Sequence, residues 1–91
     1  MLNKDLKLNE HIFDEDVEKA ATRDGYGKGL VILGDENPNV VALCADLTES
    51  TRTEEFAKKY PERFFEMGVA EQDMAAVAAG LGVSGKIPFI A

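Results

Sequence analysis

The chain has 91 residues, which is enough for one small domain. Its 17 acidic and 10 basic residues give a net charge of −7, which argues against binding to the phosphate backbone of a nucleic acid. No apolar run approaches the roughly 20 residues that span a bilayer, and the single cysteine excludes an internal disulfide, so we expect a soluble, acidic, cytoplasmic domain.

The first part of the chain is a polar leader followed by a helix. Residues 1–16 are polar and irregular, and we interpret them as a leader that precedes the domain proper, residues 17–91. From residue 17 to residue 36, apolar side chains recur at helical spacing. Three glycines weaken that helix by about 1 kcal/mol each relative to alanine, so we expect them to allow close packing against a neighbouring element: Gly25, Gly27 and Gly29.

A buried strand and a short helix follow. The continuous apolar run from residue 40 to residue 45 indicates a strand that is buried on both faces in a parallel sheet. Cys44 belongs to this run and is interpreted as a small core residue. Asp46 ends the strand, residues 47–53 form a polar loop, and a short helix is predicted from Thr53 to Tyr60.

The last part of the chain repeats the alternation of strands and helices. Residues 63–67 predict a second strand, an alanine-rich helix begins near Glu71, and residues 87–91 begin a third strand. The order predicts an α/β fold, a three-layer parallel sheet with crossover helices. Because the chain stops inside or just after the third strand, we expect it to be part of a domain. Ligands of such sheets lie at the carboxyl ends of the strands.

Glu71 is the strongest candidate for chemistry. It is a lone carboxylate in the first turn of a helix that is apolar on nearly every side, and helices of that composition are normally buried. Burial would raise the pKa of this carboxyl group and suit it to sharing a proton with a ligand nitrogen. The alternative is a carboxylate that only interacts with the helix dipole.

Two further candidates follow the first strand. Asp46 is placed as active-site acids often are in α/β proteins, although it would equally serve as a turn former. Ser50 and its neighbours Thr51 and Arg52 offer hydroxyl, backbone N–H and guanidinium groups to an anion. The alternative is a solvated polar loop without a ligand.

Three segments, in register, resemble a known family. They are Ala21-Thr22-Arg23, then Ala45-Asp46-Leu47-Thr48-Glu49-Ser50, then Gly68-Val69-Ala70-Glu71-Gln72-Asp73-Met74. They resemble the pyrimidine-binding domain of transketolases, most closely the C-terminal subunit of split transketolases, over nearly all of the chain from about residue 17. The resemblance implies a thiamine-diphosphate-binding fold, of which this chain would be the N-terminal portion.

The resemblance also implies a role for individual residues. Glu71 matches the glutamate that hydrogen-bonds the pyrimidine ring nitrogen of thiamine diphosphate and promotes its imino tautomer. Asp46 matches a position near the cofactor at the subunit interface. Arg23 and Ser50 match positions that contact the phosphate of the sugar phosphate. The segment that holds the diphosphate and Mg²⁺ or Ca²⁺ would belong to a partner chain, in an α2β2 assembly of the pentose phosphate pathway.

The residues after Glu71 keep other enzymes of the superfamily open. Many transketolases have a histidine directly after the glutamate, whereas this chain has Gln72-Asp73, which also resembles 1-deoxyxylulose-5-phosphate synthase. A 2-oxo-acid dehydrogenase β subunit and a noncatalytic, partner-binding α/β remnant are the remaining alternatives. The sequence thus predicts transfer of a two-carbon ketol unit between sugar phosphates, by a chain that is inactive without its partner.

Overall fold

The computed structural model describes residues 3–91 and shows a three-stranded parallel sheet with helices on both faces. The elements in chain order are α1 (Thr22–Glu36), β1 (Val40–Cys44), α2 (Glu54–Lys59), a 3₁₀ turn (Pro61–Arg63), β2 (Phe64–Glu66), α3 (Glu71–Val83) and β3 (Ile87–Ile90). The strand order is β2-β1-β3, and both outer strands are parallel to β1. The predicted α/β class and its crossover helices are confirmed.

The central strand divides its side chains between two cores. Val41 and Leu43 pack with Met74 and Ala78 of α3 on one face. On the other face, Val40 and Ala42 pack against α1 and α2, chiefly through Leu30 and Phe56. All five residues of β1 are buried, as expected for a parallel strand that is covered on both sides. Cys44 is fully buried among them, so its interpretation as a core residue is confirmed.

A single arginine holds the ends of α1 and β1 together. The guanidinium group of Arg63 donates hydrogen bonds to the carbonyl oxygens of Gly34, Asn37 and Val40 at 3.1–3.3 Å. It also lies over the ring of Tyr60, with 3.7 Å between its central carbon and the ring centroid. Such a planar, five-donor group can satisfy carbonyls at a helix end and stack at the same time.

Several predicted boundaries are wrong. The first helix begins at Thr22 and not at residue 17: residues 17–21 have no regular secondary structure, and Ala21, directly before the helix, is extended. The short helix spans Glu54–Lys59, and the second strand loses Arg63 to the 3₁₀ turn and Met67 to the following loop. Residues 3–21 contain turns and extended backbone only.

The glycines of α1 differ in what they contact. A Cβ on Gly27 would lie 2.6 Å from the carbonyl oxygen of Arg52, so the predicted close packing is confirmed at this position. Nothing lies within 4 Å of such an atom at Gly25 or Gly29, and there the prediction is wrong.

Among the residues from 3 onward, no helix combines the length and the apolar character that crossing a membrane requires.

Candidate functional site

Three of the four predicted site residues line one cleft at the carboxyl end of β1. The cleft, here called the site cleft, has a volume of about 410 Å³ and is lined by Arg23, Asp46, Leu47, Thr48, Glu49, Ser50 and Arg52. Arg23 reaches it from the first turn of α1, whereas the other residues belong to the end of β1 and the loop that follows. The sequence therefore brings residues 23, 46 and 50 together through the packing of α1 on this loop.

The site cleft contains two arginines and two carboxylates, so its formal charges balance. The two arginines differ in their hydrogen-bond partners. Arg52 donates from Nε to the Asp24 carboxylate at 2.8 Å, so its charge is paired within the chain. Arg23 makes only a long hydrogen bond of 3.4 Å, to the carbonyl oxygen of Ser50. An anion entering the cleft would therefore meet Arg23 as the more available guanidinium group, beside the Ser50 hydroxyl.

Hydrogen bonds made by threonine hydroxyl groups hold the loop after β1 in its conformation. Thr53 is fully buried, and its Oγ1 lies 2.8 Å from that of Thr51. The Thr51 hydroxyl also donates to the carbonyl oxygen of Leu47 at 2.8 Å. The Tyr26 hydroxyl is buried nearby without a partner in hydrogen-bond geometry, and burial raises its pKa. Hydrogen bonds within the chain thus stabilise the conformation of this loop.

Asp46 lies just after β1 and has a left-handed backbone conformation. Its φ is +61°, a value that aspartate adopts more readily than most residues. The turn carries its side chain to the exposed edge of the sheet, while its backbone N–H points back to the neighbouring strand. The predicted position of Asp46 at the end of the strand is confirmed, and its relation to a cofactor stays a prediction.

A glutamate that the sequence reasoning missed receives that N–H. Glu66 Oε1 accepts the backbone N–H of Asp46 at 2.7 Å and that of Gly68 at 2.9 Å. Its Oε2 accepts the hydroxyl of Thr48 at 2.9 Å. These donors, with the N–H of Gly68 the largest contributor, hold the pKa of Glu66 below its ordinary value against desolvation. An acidic residue at the end of an apolar strand, the signal that singled out Asp46, would also have found Glu66.

Glu71 begins α3 at the same edge of the sheet but does not line the site cleft. It follows the turn at Gly68, whose φ of +68° requires the freedom of glycine. Within residues 3–91, the Glu71 carboxylate has no hydrogen-bond or ion-pair partner. Its assignment is a prediction that the geometry of this chain does not test.

The expected burial around Glu71 is wrong for this chain. Glu71 is exposed, and α3 buries only Met74 and Ala78. Val83 is 92% exposed and Val77 is 37% exposed. The helix is apolar on most sides, as the sequence predicted, but one sheet face covers only one side of it.

Known proteins have sequences similar to that of this chain. The family model described as transketolase, pyrimidine binding domain, matches residues 18–91. A putative transketolase C-terminal section from Methanocaldococcus jannaschii is 57% identical over 67 residues, which are 74% of this chain and 21% of that protein. The 1-deoxy-D-xylulose-5-phosphate synthase of Dictyoglomus thermophilum is 44% identical over 66 residues, 72% of this chain and 11% of that protein.

A solved structure gives the same result for the fold. A chain described as split gene transketolase, inactive beta4 tetramer, superposes with a TM-score of 0.71 and 60% identity over 80% of this chain. The match covers 24% of that chain, so the present sequence spans about a quarter of it and a tenth to a fifth of the two curated relatives.

Proposed function

Since this chain belongs to the family of transketolase pyrimidine-binding domains, we propose that it supplies the pyrimidine-binding part of a thiamine-diphosphate-dependent transketolase. The reaction is the transfer of a two-carbon ketol unit from a ketose phosphate to an aldose phosphate. The observation that carries this proposal is the meeting of Arg23, Asp46 and Ser50 in one cleft, beside the edge at which Glu71 begins α3.

The groups at this edge suit the cofactor. Glu71 is exposed and has no partner among residues 3–91, so its carboxylate can accept a hydrogen bond from a protonated ring nitrogen. Asp46 offers a second carboxylate at the end of the neighbouring strand. When bound, thiamine diphosphate would supply a carbon nucleophile and would stabilise a carbanion on the substrate. The part of Glu71 is to hold a proton at the pyrimidine nitrogen, and that of Asp46 is to orient the cofactor.

The phosphate end of the sugar is assigned to Arg23 and Ser50. The paired Arg52 leaves Arg23 as the guanidinium group that can form charge-assisted hydrogen bonds with a phosphate. The carboxylates of Asp46 and Glu49 line the same cleft and repel anions. We therefore assign the phosphate to the side of the cleft where Arg23 lies. This arrangement favours a substrate that carries its phosphate at one end.

The proposal requires a partner chain that binds the diphosphate. Exposed apolar side chains at both ends of α3, Val69 at 75% before its start and Val83 at 92% at its end, support a partner surface along this helix. Within the described part of the chain, no three potential metal ligands come together, and we assign the Mg²⁺ or Ca²⁺ to the partner. Covering α3 would also give Glu71 the desolvation that its role needs.

Reconstitution tests the proposal. The chain is purified alone and together with a diphosphate-binding transketolase subunit, and each sample is supplied with thiamine diphosphate, Mg²⁺, xylulose 5-phosphate and ribose 5-phosphate. We expect sugar-phosphate products only in the mixed sample, and native mass spectrometry should show both chains and the cofactor together. Product formation by this chain alone, or no product in a verified complex, would contradict the proposal.

A second candidate is favoured by the curated relatives. The 1-deoxy-D-xylulose-5-phosphate synthases of Dictyoglomus turgidum and Alkaliphilus oremlandii are 47% and 48% identical to this chain over 66 and 65 residues. If this candidate is correct, the complex forms 1-deoxy-D-xylulose 5-phosphate and transfers no ketol unit between sugar phosphates. Pyruvate and glyceraldehyde 3-phosphate are therefore added to the reconstituted sample, because the 1-deoxy product needs an acetyl unit from pyruvate, with loss of CO2, that xylulose 5-phosphate does not supply. Product analysis by mass spectrometry then separates the two candidates.

A further inference from the structure

Glu66 connects two backbone turns through one side chain. One turn follows β1 at Asp46, with φ +61°, and the other follows β2 at Gly68, with φ +68°. A single oxygen, Oε1 of Glu66, accepts the backbone N–H of both residues. The second oxygen accepts the hydroxyl of Thr48, two residues further along the first loop. The carboxylate thus spans both loops at the edge where the proposed site lies.

We propose that Glu66 is a positioning residue that sets Asp46 and the turn leading to Glu71 at a fixed distance from each other. The inference rests on the proposed function, because it assigns Asp46 and Glu71 to one cofactor. Each strand leads to one of the two carboxylates. Main-chain pairing between β1 and β2 and the packing of Met67 and Met74 against β1 relate the two strands, and Glu66 adds the side-chain connection between the turns that follow them. Since a displacement of about 1 Å in an active site can cost about 100-fold in rate, such a connection affects turnover directly.

The chemistry of the side chain explains why a glutamate stands here. An ionised carboxylate is an acceptor on both oxygens and can receive two N–H groups and one O–H group without donating. Glutamine keeps one oxygen for the two N–H groups and presents its amide nitrogen to the Thr48 hydroxyl, which can accept. Alanine removes both acceptor oxygens and with them all three hydrogen bonds, so the two left-handed turns lose their common partner. Glutamine is therefore the conservative variant.

The connection is testable in the full chain without cofactor or substrate. Amide proton shifts of Asp46 and Gly68 are followed by NMR as the pH is lowered. We expect both signals to shift with one common apparent pKa below 4.5, the ordinary value for Glu66. In Glu66→Gln the common transition should be absent from both, whereas the exposed control Glu62→Gln should retain it. A transition that Glu66→Gln retains, or that only one of the two amides shows in the wild-type chain, overturns the inference.

The effect on catalysis is tested in the reconstituted complex at saturating substrate. We expect Glu66→Ala to lower kcat about 100-fold and Glu66→Gln to recover at least about tenfold of that loss, because its oxygen still accepts both N–H groups. The KM for the sugar phosphate should change less than kcat, since Arg23 lies on α1 and the part of the loop after Ser50 keeps the hydroxyl hydrogen bonds of Thr51 and Thr53. Wild-type kcat in a folded Glu66→Ala, or equal losses in both variants, overturns the inference.

The two hypotheses fail in different ways. If a verified complex forms no product while the common amide transition is present, the proposed function is wrong and the connection made by Glu66 is real. If Glu71→Gln is inactive while Glu66→Ala is normal, only the positioning role is wrong. Where Glu66→Ala does not fold, the amide titration and the kcat of Glu66→Gln decide between these outcomes.

Discussion

The helix residue Gly27 and the loop residue Arg52 are in backbone contact: a Cβ on Gly27 would lie 2.6 Å from the Arg52 carbonyl oxygen and 2.8 Å from its Cβ. Arg52 itself has a φ of +65°, so its backbone has little freedom to retreat. The contact seats the loop that carries Ser50 against the helix that carries Arg23.

The first prediction follows from that contact. Gly27→Ala should destabilise the protein by about 1–3 kcal/mol, because the backbone of the loop must shift. Gly29→Ala is the matched control: nothing lies within 4 Å of its Cβ, so the gain in helix propensity should stabilise the protein by up to about 1 kcal/mol. Denaturant unfolding of the two variants measures both values. Equal effects at the two positions would contradict the prediction.

The second prediction concerns Glu71. In the reconstituted complex, Glu71→Gln should lower turnover by about 100-fold or more, because an amide cannot share the proton of the pyrimidine nitrogen. Its thermal unfolding should resemble that of the wild-type protein, since the side chain is exposed and has no partner within residues 3–91. Glu62→Gln, an exposed glutamate before β2, serves as the control. Normal turnover of Glu71→Gln would remove this residue from the site.

The third prediction separates phosphate binding from chemistry. Arg23→Ala should raise the KM for a sugar phosphate by about tenfold or more, with a smaller change in kcat, because it removes a charge-assisted hydrogen bond to the phosphate. The KM for the same sugar without its phosphate should not change. Lys28→Ala, a cation on the same helix outside the site cleft, is the control. A KM loss of equal size for the unphosphorylated sugar would argue against phosphate contact.

The fourth prediction is a pH dependence of stability. The pKa of Glu66 is lowered in the folded chain, so its ionised form stabilises the fold. That contribution is present above the ordinary value of 4.5 and is lost as the pH falls through the lowered pKa. The difference in unfolding free energy between the wild-type chain and Glu66→Gln should therefore shrink between about pH 6 and about pH 3. A constant difference over this range would show that the charge has no role.

Sequence patterns predicted the order of the elements because local signals determine it. The uncharged apolar run of residues 40–45 is typical of a strand covered on both faces, and a turn with Pro38 precedes it while a polar loop follows it. Gly27 was found because a glycine inside a helix costs stability and so suggests a packing reason. The same argument was wrong for Gly25, since propensity alone does not show which side of the helix meets a neighbour.

The parts that were missed depend on tertiary contacts. Residues 18–21 are exposed and outside α1, and the helical spacing of apolar residues from residue 17 did not show that the helix begins only at Thr22. The exposure of α3 reflects how much of it one sheet face covers, although its composition is that of a buried helix. The three hydrogen bonds of Glu66 join residues up to 20 positions apart, and only the register of β1 with β2 brings them together.

The order β2-β1-β3 also has a consequence for synthesis on the ribosome. Both strands that pair with β1 come later in the chain, and the second of them begins only at Ile87. The apolar, uncharged segment Val40–Ala45 therefore leaves the ribosome well before either neighbour can cover its edges. Short segments of this kind are the ones that associate with other nascent chains when they are exposed. This strand, the best-protected part of the folded chain, is its most aggregation-prone part during translation.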